Sequence, residues 1–123
     1  MESLLPGLFS LPKSERISGR TAVGTLFSKG SWGGSGALRY CVLKGNGLGV
    51  NRMMVSVPKK CFRRAVKRNL LKRRIRESYR RQKALIPGSA GMDIAFLYNS
   101  KELLDYRSIY DEVGAILRKL GNE

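Results

Sequence analysis

The stretch VPKKCFRRAVKRNLLKRRIRESYRRQK, residues 57–83, decides how the rest of the chain is read. Thirteen of its last twenty-five residues are Lys or Arg, and Glu77 is its single acid. Residues 63–83 contain no glycine or proline, and their Arg, Lys and Leu are good helix formers. On a helical wheel at about 100° per residue, Leu71, Ile75 and Tyr79 form one apolar ridge that faces a core. Arg68 continues that line one turn earlier and lies beside the buried face. Lys72, Arg73, Arg76, Arg80 and Lys83 take one flank; Arg63, Lys67, Arg74 and Arg81 take the other. A surface helix ordinarily interleaves acids four residues from its bases, and here only Glu77 is available. Like charges packed in this way cost roughly a few tenths of a kcal/mol per adjacent pair. The surface is therefore matched to something outside the chain. Phe62, Val66 and Leu70 form a second apolar ridge on the opposite side. Either Phe62 precedes the helix and folds back, or the two halves of the helix pack differently.

Outward from that helix, the chain has the bulk properties of one small domain. Its 123 residues support a single core, and an apolar fraction of 42% is ordinary for a globular protein. The net charge of +15 is not ordinary. It attracts polyanions, and nucleic acid or an anionic membrane has the required charge density. Residues 1–83 carry a net +17 and residues 84–123 a net −2. The charge is thus regional, within one domain spanning 1–123. Residues 1–12, broken by Pro6 and Pro12, read as an extended or flexible segment, neither a signal peptide nor a membrane span. Cys41 and Cys61 lie twenty residues apart with no histidine in the chain, which excludes the familiar zinc spacings and implies two reduced thiols. The expected location is the cytoplasm, with no membrane partner and no metal bound by the protein.

The periodicity gives the order helix, strand, strand, helix, strand, helix. A first helix is predicted over 14–29, with Ile17, Val23, Leu26 and Phe27 as its apolar positions. GSWGGSG (30–36) reads as a glycine-rich linker; no Lys-Ser/Thr follows it and no helix opens from it, so it is no phosphate cradle. Strands are predicted at ALRYCVL (37–43) and RMMVSVP (52–58), joined through KGNGLG by a hairpin or longer loop, and at MDIAFLY (92–98) after the loop PGSAG. In the last helix Ile109, Val113, Ile116, Leu117 and Leu120 form one stripe, with Ser108 and Asp111 resembling a capping box. The fold class is α+β, an αββαβα sandwich with a small sheet packed against helices.

Enzyme chemistry within the chain is disfavoured. Without histidine, general-base and nucleophile–base arrangements lose their usual member, and the nine acids are scattered. A DNA-reading helix-turn-helix needs a partner helix and short turn before its reader, whereas here the basic helix follows a strand. That arrangement suits a module that grips RNA by shape and phosphate. Phe27 and Tyr40 are the aromatics best placed to stack on bases, with core packing as the competing role.

SVPKKCFRRAVKRNLLKRRIRESYR (56–80) resembles the signature of the protein subunit of bacterial ribonuclease P. That family carries Ser-Val-x-Lys-Lys at a strand end, then Ala-Val-x-Arg-Asn-Arg-x-Lys-Arg, then Arg-Glu-Ala-Phe/Tyr-Arg. The matching residues are Ser56, Val57, Lys59, Lys60, Ala65, Val66, Arg68, Asn69, Lys72, Arg73, Arg76, Glu77, Tyr79 and Arg80. Leu70 stands where the family has a second arginine. The resemblance spans about residues 11–120 and implies a left-handed βαβ crossover, against the usual chirality. It also implies a ribonucleoprotein in which an RNA subunit, using Mg2+, removes the 5′ leader of precursor tRNA while the protein supplies no catalytic group. Lys59, Lys60, Arg64, Arg68, Asn69, Lys72, Arg73 and Arg76 would then contact the catalytic RNA. Val23, Phe27 and Tyr40 would line a cleft for the leader. The competing readings are a general RNA-binding or ribosome-associated protein and, in another class, a DNA-binding regulator. The implied partners are the catalytic RNA and precursor tRNA, not DNA.

Overall fold

A computed structural model of the chain describes residues 11–34, 36–87 and 90–122. The expectation for the extreme N-terminus thus falls mostly outside the described residues. The elements are α1 (Arg20–Lys29), β1 (Ser31–Gly33), β2 (Leu38–Leu43), β3 (Arg52–Ser56), α2 (Ala65–Gln82), β4 (Asp93–Tyr98) and α3 (Tyr106–Gly121), with short 3₁₀ turns at Lys13–Glu15 and Lys83–Leu85. The strands form one sheet in the order β1-β2-β4-β3. β2 runs antiparallel to both β1 and β4, whereas β3 is parallel to β4. Because β3 and β4 are parallel neighbours, the chain must cross over between them, and α2 is that crossover.

Both faces of the sheet are covered. On one, Leu38, Tyr40, Val42, Met53, Ile94, Phe96 and Tyr98 pack against the ridge Leu71, Ile75 and Tyr79 of α2 and the stripe of α3. Each of these large side chains contributes about 1.5–3 kcal/mol when taken out of water. On the other face a smaller cluster of Ile17, Leu26, Cys41 and Ala95 gathers under α1, with Val23, Phe27, Leu43, Met54 and Leu97 at its margin. Gly114 lets α2 and α3 approach closely: a Cβ there would lie 2.4 Å from Gln82 Oε1. The Gln82 amide in turn donates to the carbonyl of Tyr110 at 2.9 Å.

Three expectations are corrected and one pair of alternatives is resolved. The helix foreseen over 14–29 is two pieces. Gly19 takes φ of 90°, a conformation that an L side chain rarely adopts. Just before it Arg16 bridges to Met53, and the Ile17 N–H donates to the Met53 carbonyl at 2.9 Å. The linker 30–36 contains a fourth strand, β1, in which Ser31, Trp32 and Gly33 pair with Val42, Cys41 and Tyr40. Glycine is required at 33 because a Cβ would sit 2.5 Å from the Tyr40 hydroxyl. Of the two connections expected between β2 and β3, the longer loop is the one present, since β4 lies between the strands. Finally, α3 is capped by Asp105, whose carboxylate accepts the Ser108 N–H at 2.8 Å, and not by Ser108.

The loop between β2 and β3 is held by buried polar groups. Asp93 accepts from Arg52 Nε at 2.9 Å and Nη2 at 2.6 Å, and from Asn46 Nδ2 at 2.8 Å. Asn51 donates to the Pro87 carbonyl at 2.6 Å and accepts the Met92 N–H at 3.0 Å. Asp93 is 3% exposed, so Asp93→Ala leaves Arg52 and Asn46 facing a site without an acceptor. The expected loss is about 3 kcal/mol, read as a lower urea midpoint at unchanged slope. A loss below about 1 kcal/mol, the size of an ordinary surface pair, would show that the clamp is solvated.

Candidate nucleic-acid interface

α2 carries eight basic side chains and one acid in Ala65–Gln82, and its anchored ridge fixes where each points. Asn69, Lys72, Arg73 and Arg76 recur at the spacing of one helical face, away from the ridge. Asn69, Arg73 and Arg76 are exposed and Lys72 half-buried. Lys67, on the other flank, is also exposed. Among the described residues, Lys67, Lys72, Arg73 and Arg76 make no ion pair.

The remaining basic residues of α2 are committed within the fold. Arg80 grips Glu77 through both Nε (2.9 Å) and Nη2 (2.6 Å), and Arg81 Nε meets the same carboxylate at 2.9 Å. These hydrogen bonds, Arg80 first, hold the Glu77 carboxyl at about 2, against 4.5 for a free glutamate. Arg74 donates to the Leu104 carbonyl. Lys83, beyond the helix, pairs with Glu15 at 2.9 Å. The single acid therefore divides the helix: beyond it Arg80 and Arg81 share the Glu77 carboxylate, and the turns before it present charge that no acid pairs.

Arg68 has a structural task. Its Nη1 donates to the carbonyls of Phe62 and Arg63 at 2.9 and 2.7 Å, tying the turn before α2 to the helix. That turn resolves the alternatives for Phe62. It lies before the helix, folds back into the core and meets Tyr98 with ring centroids 6.0 Å apart. Val66 is 78% exposed, so the second ridge is no packing surface. Arg64 is the exposed N-cap residue, and no side chain caps the first turn of α2. The positive end of the helix dipole thus adds to the same patch. Lys59 and Lys60 are exposed just upstream. Lys60 lines a recess of about 360 Å³ with Cys61, Asn99, Ser100 and Lys101, at the carboxyl ends of the parallel strands.

The three residues expected in a second cleft are not brought together. Val23 and Phe27 lie on α1, at the margin of the cluster on one face of the sheet. Tyr40 lies on the opposite face, buried under α3, with Lys119 Nζ 5.9 Å from its ring. β2 is apolar on both sides, so strand alternation alone could not choose the face. Two residues on the α1 side went unforeseen. Trp32, read as part of a linker, stacks on Phe27, and Arg39 is exposed on β2.

The ribonuclease P family model matches residues 11–121. The chain belongs to the ribonuclease P family. The ribonuclease P protein component of Porphyromonas gingivalis (strain ATCC 33277) is 40% identical over 111 residues, covering 85% of this chain and 81% of that protein. That of Thermotoga petrophila is 31% identical over 118 residues, covering 90% and 96%. Among solved structures, the RNase P protein from Thermotoga maritima superposes with a TM-score of 0.74 at 27% identity, covering 85% of this chain and 96% of that one. The α+β fold and the assignment to the protein component of ribonuclease P, in tRNA 5′-end processing, therefore stand.

Neutralising unpaired and committed charges should have different effects. Arg73→Gln and Arg76→Gln should each lower the salt dependence of RNA binding by about one ion, with the melting temperature unchanged. Arg68→Ala should also lose about 1–2 kcal/mol of stability by releasing two carbonyls; a purely electrostatic effect of Arg68→Ala would contradict its tie to Phe62 and Arg63. Glu77→Gln removes the one negative charge of α2, raising its net positive charge by one, and should steepen the salt dependence. Its stability effect has a defined sign. The folded-state value near 2 lies below 4.5, so Glu77 stabilises above about pH 4.5 and this contribution fades as the pH falls toward 2. The melting-temperature gap between wild type and Glu77→Gln should close over that window; a gap constant with pH would contradict the ion pairs.

Proposed function

We propose that the chain acts within ribonuclease P as a non-catalytic subunit that binds the catalytic RNA through the part of α2 ahead of Glu77 and holds the 5′ leader of precursor tRNA on the α1 side of the sheet. The observation that carries this reading is the unpaired stripe Lys72, Arg73 and Arg76 with Asn69, held outward by a buried ridge. Lys59, Lys60, Arg64 and Arg68 extend it toward the helix N-terminus. Two folded RNAs repel one another, and Mg2+ used by the RNA subunit ordinarily screens that repulsion. Fixed positive charge at their junction strengthens substrate binding and lowers the magnesium requirement. Phosphate contacts of this kind carry no sequence information, as suits a factor that must accept many precursor tRNAs.

The leader groove in this reading is bounded by Val23 and Phe27 of α1. Its floor is the sheet row Arg39, Leu97 and Ser56, which are register partners across β2, β4 and β3. Tyr40 is left out because it faces the other side. Single-stranded RNA binds such grooves through stacking and phosphate contacts.

The test is cleavage of precursor tRNA by the cognate catalytic RNA at low magnesium, with and without the protein. The protein should restore cleavage at the mature 5′ end. If cleavage is unaffected while tRNA and ribosomal RNA still bind, the general RNA-binding reading replaces this one.

A further inference from the structure

β1 carries an aromatic platform that the family signature in 56–80 does not touch. Trp32 is the only tryptophan in the chain and is 50% exposed. Its indole lies on the Phe27 ring with centroids 5.6 Å apart and planes 18° from parallel. Trp32 pairs with Cys41 on β2, which places it on the α1 side of the sheet. Arg39, two residues from Cys41 on that face, is its diagonal cross-strand neighbour, within reach of long side chains. Arg39 is exposed and makes no ion pair among the described residues. An indole stacked on one side and half exposed on the other, beside an unpaired guanidinium, provides the two contacts that an unpaired nucleotide uses: a ring to stack on and a cation for its phosphate.

We propose that Trp32, backed by Phe27 and flanked by Arg39, is a stacking site for an unpaired base of the 5′ leader. It lies at the β1 edge of the sheet, where the groove under α1 opens. This rests on the leader reading above and extends it to an edge strand. The platform is rigid because β1 is held against β2 and the Phe27 ring is fixed by α1, so little ordering entropy is lost when a base docks. Stacking is tolerant of base identity, so the site senses whether leader is present and not its sequence.

The single tryptophan makes the holoenzyme its own probe. Titrated with precursor tRNA bearing a long leader, Trp32 fluorescence should be quenched; mature tRNA should leave it unchanged. Trp32→Ala should weaken binding of the long-leader precursor by roughly 5- to 100-fold and leave mature tRNA binding as it was. Trp32→Phe, which keeps a ring in the same packing, should retain most of the affinity. Absent quenching, or equal losses for precursor and mature tRNA in Trp32→Ala, overturns the proposal. If wild type prefers precursor to mature tRNA but Trp32→Ala keeps that preference in full, only the Trp32 site fails. If wild type shows no preference, the leader reading fails with it.

Discussion

The buried ridge of α2 is the constraint on which the functional surface depends. Leu71, Ile75 and Tyr79 are each almost fully removed from water, and the Tyr79 ring meets Phe96 of the central strand edge-on at 5.9 Å. Rotating the helix to spread its charge would expose that ridge, at a cost of several kcal/mol. The mutual repulsion of the basic residues is far weaker than that at ordinary ionic strength. Packing therefore prevails over electrostatics, and the charge stays where the ridge puts it. A helix fixed in this way is preorganised: the folded protein has already met the cost of gathering like charges before any RNA arrives.

The same packing separates two surfaces. α2 and α3 cover one face of the sheet and α1 the other, so the charged stripe and the aromatic platform lie on different sides of β4. Because β3 and β4 are parallel, α2 has to span the length of the sheet, which places its N-terminal turn near the end of β3, beside Lys59 and Lys60. Glu77 then limits the charged region from within by engaging Arg80 and Arg81. The basic segment looks continuous in the sequence. In the fold it is an exposed patch followed by a brace in which Arg80 and Arg81 share the Glu77 carboxylate.

Some of this organisation was legible in residue order and some was not. The ridge of α2 and the stripe of α3 were readable because long helices repeat their burial pattern over several turns, and α2 and α3 follow that period closely. β1 was not: three residues, two of them Ser and Gly, carry no period, and their strand character comes from pairing with β2. The break at Gly19 likewise depends on a long-range bond, from Ile17 to Met53. Tyr40 was attributed to the wrong face because β2 is apolar on both sides. Of the basic residues, sequence could count the charges and find their flanks, but not which carbonyl Arg68 or Arg74 reaches. The N-cap of α3 shows the same limit. Asp105 and Ser108 are both good caps, and the choice follows from the lead-in, where the Leu104 N–H donates to the Tyr98 hydroxyl at 3.1 Å.

The central claim is that the surface of α2 ahead of Glu77 is the face that meets the catalytic RNA, and lysine acetylation footprinting tests it most directly because lysines are spread over the whole molecule. The protein is acetylated alone and in complex with the catalytic RNA, and the modified sites are read by mass spectrometry. Lys59, Lys60, Lys67 and Lys72 should be protected by the RNA, while Lys119, on the exposed side of α3, remains reactive. Protection at Lys119 with Lys67 and Lys72 still fully reactive would place the RNA on another face and contradict the account.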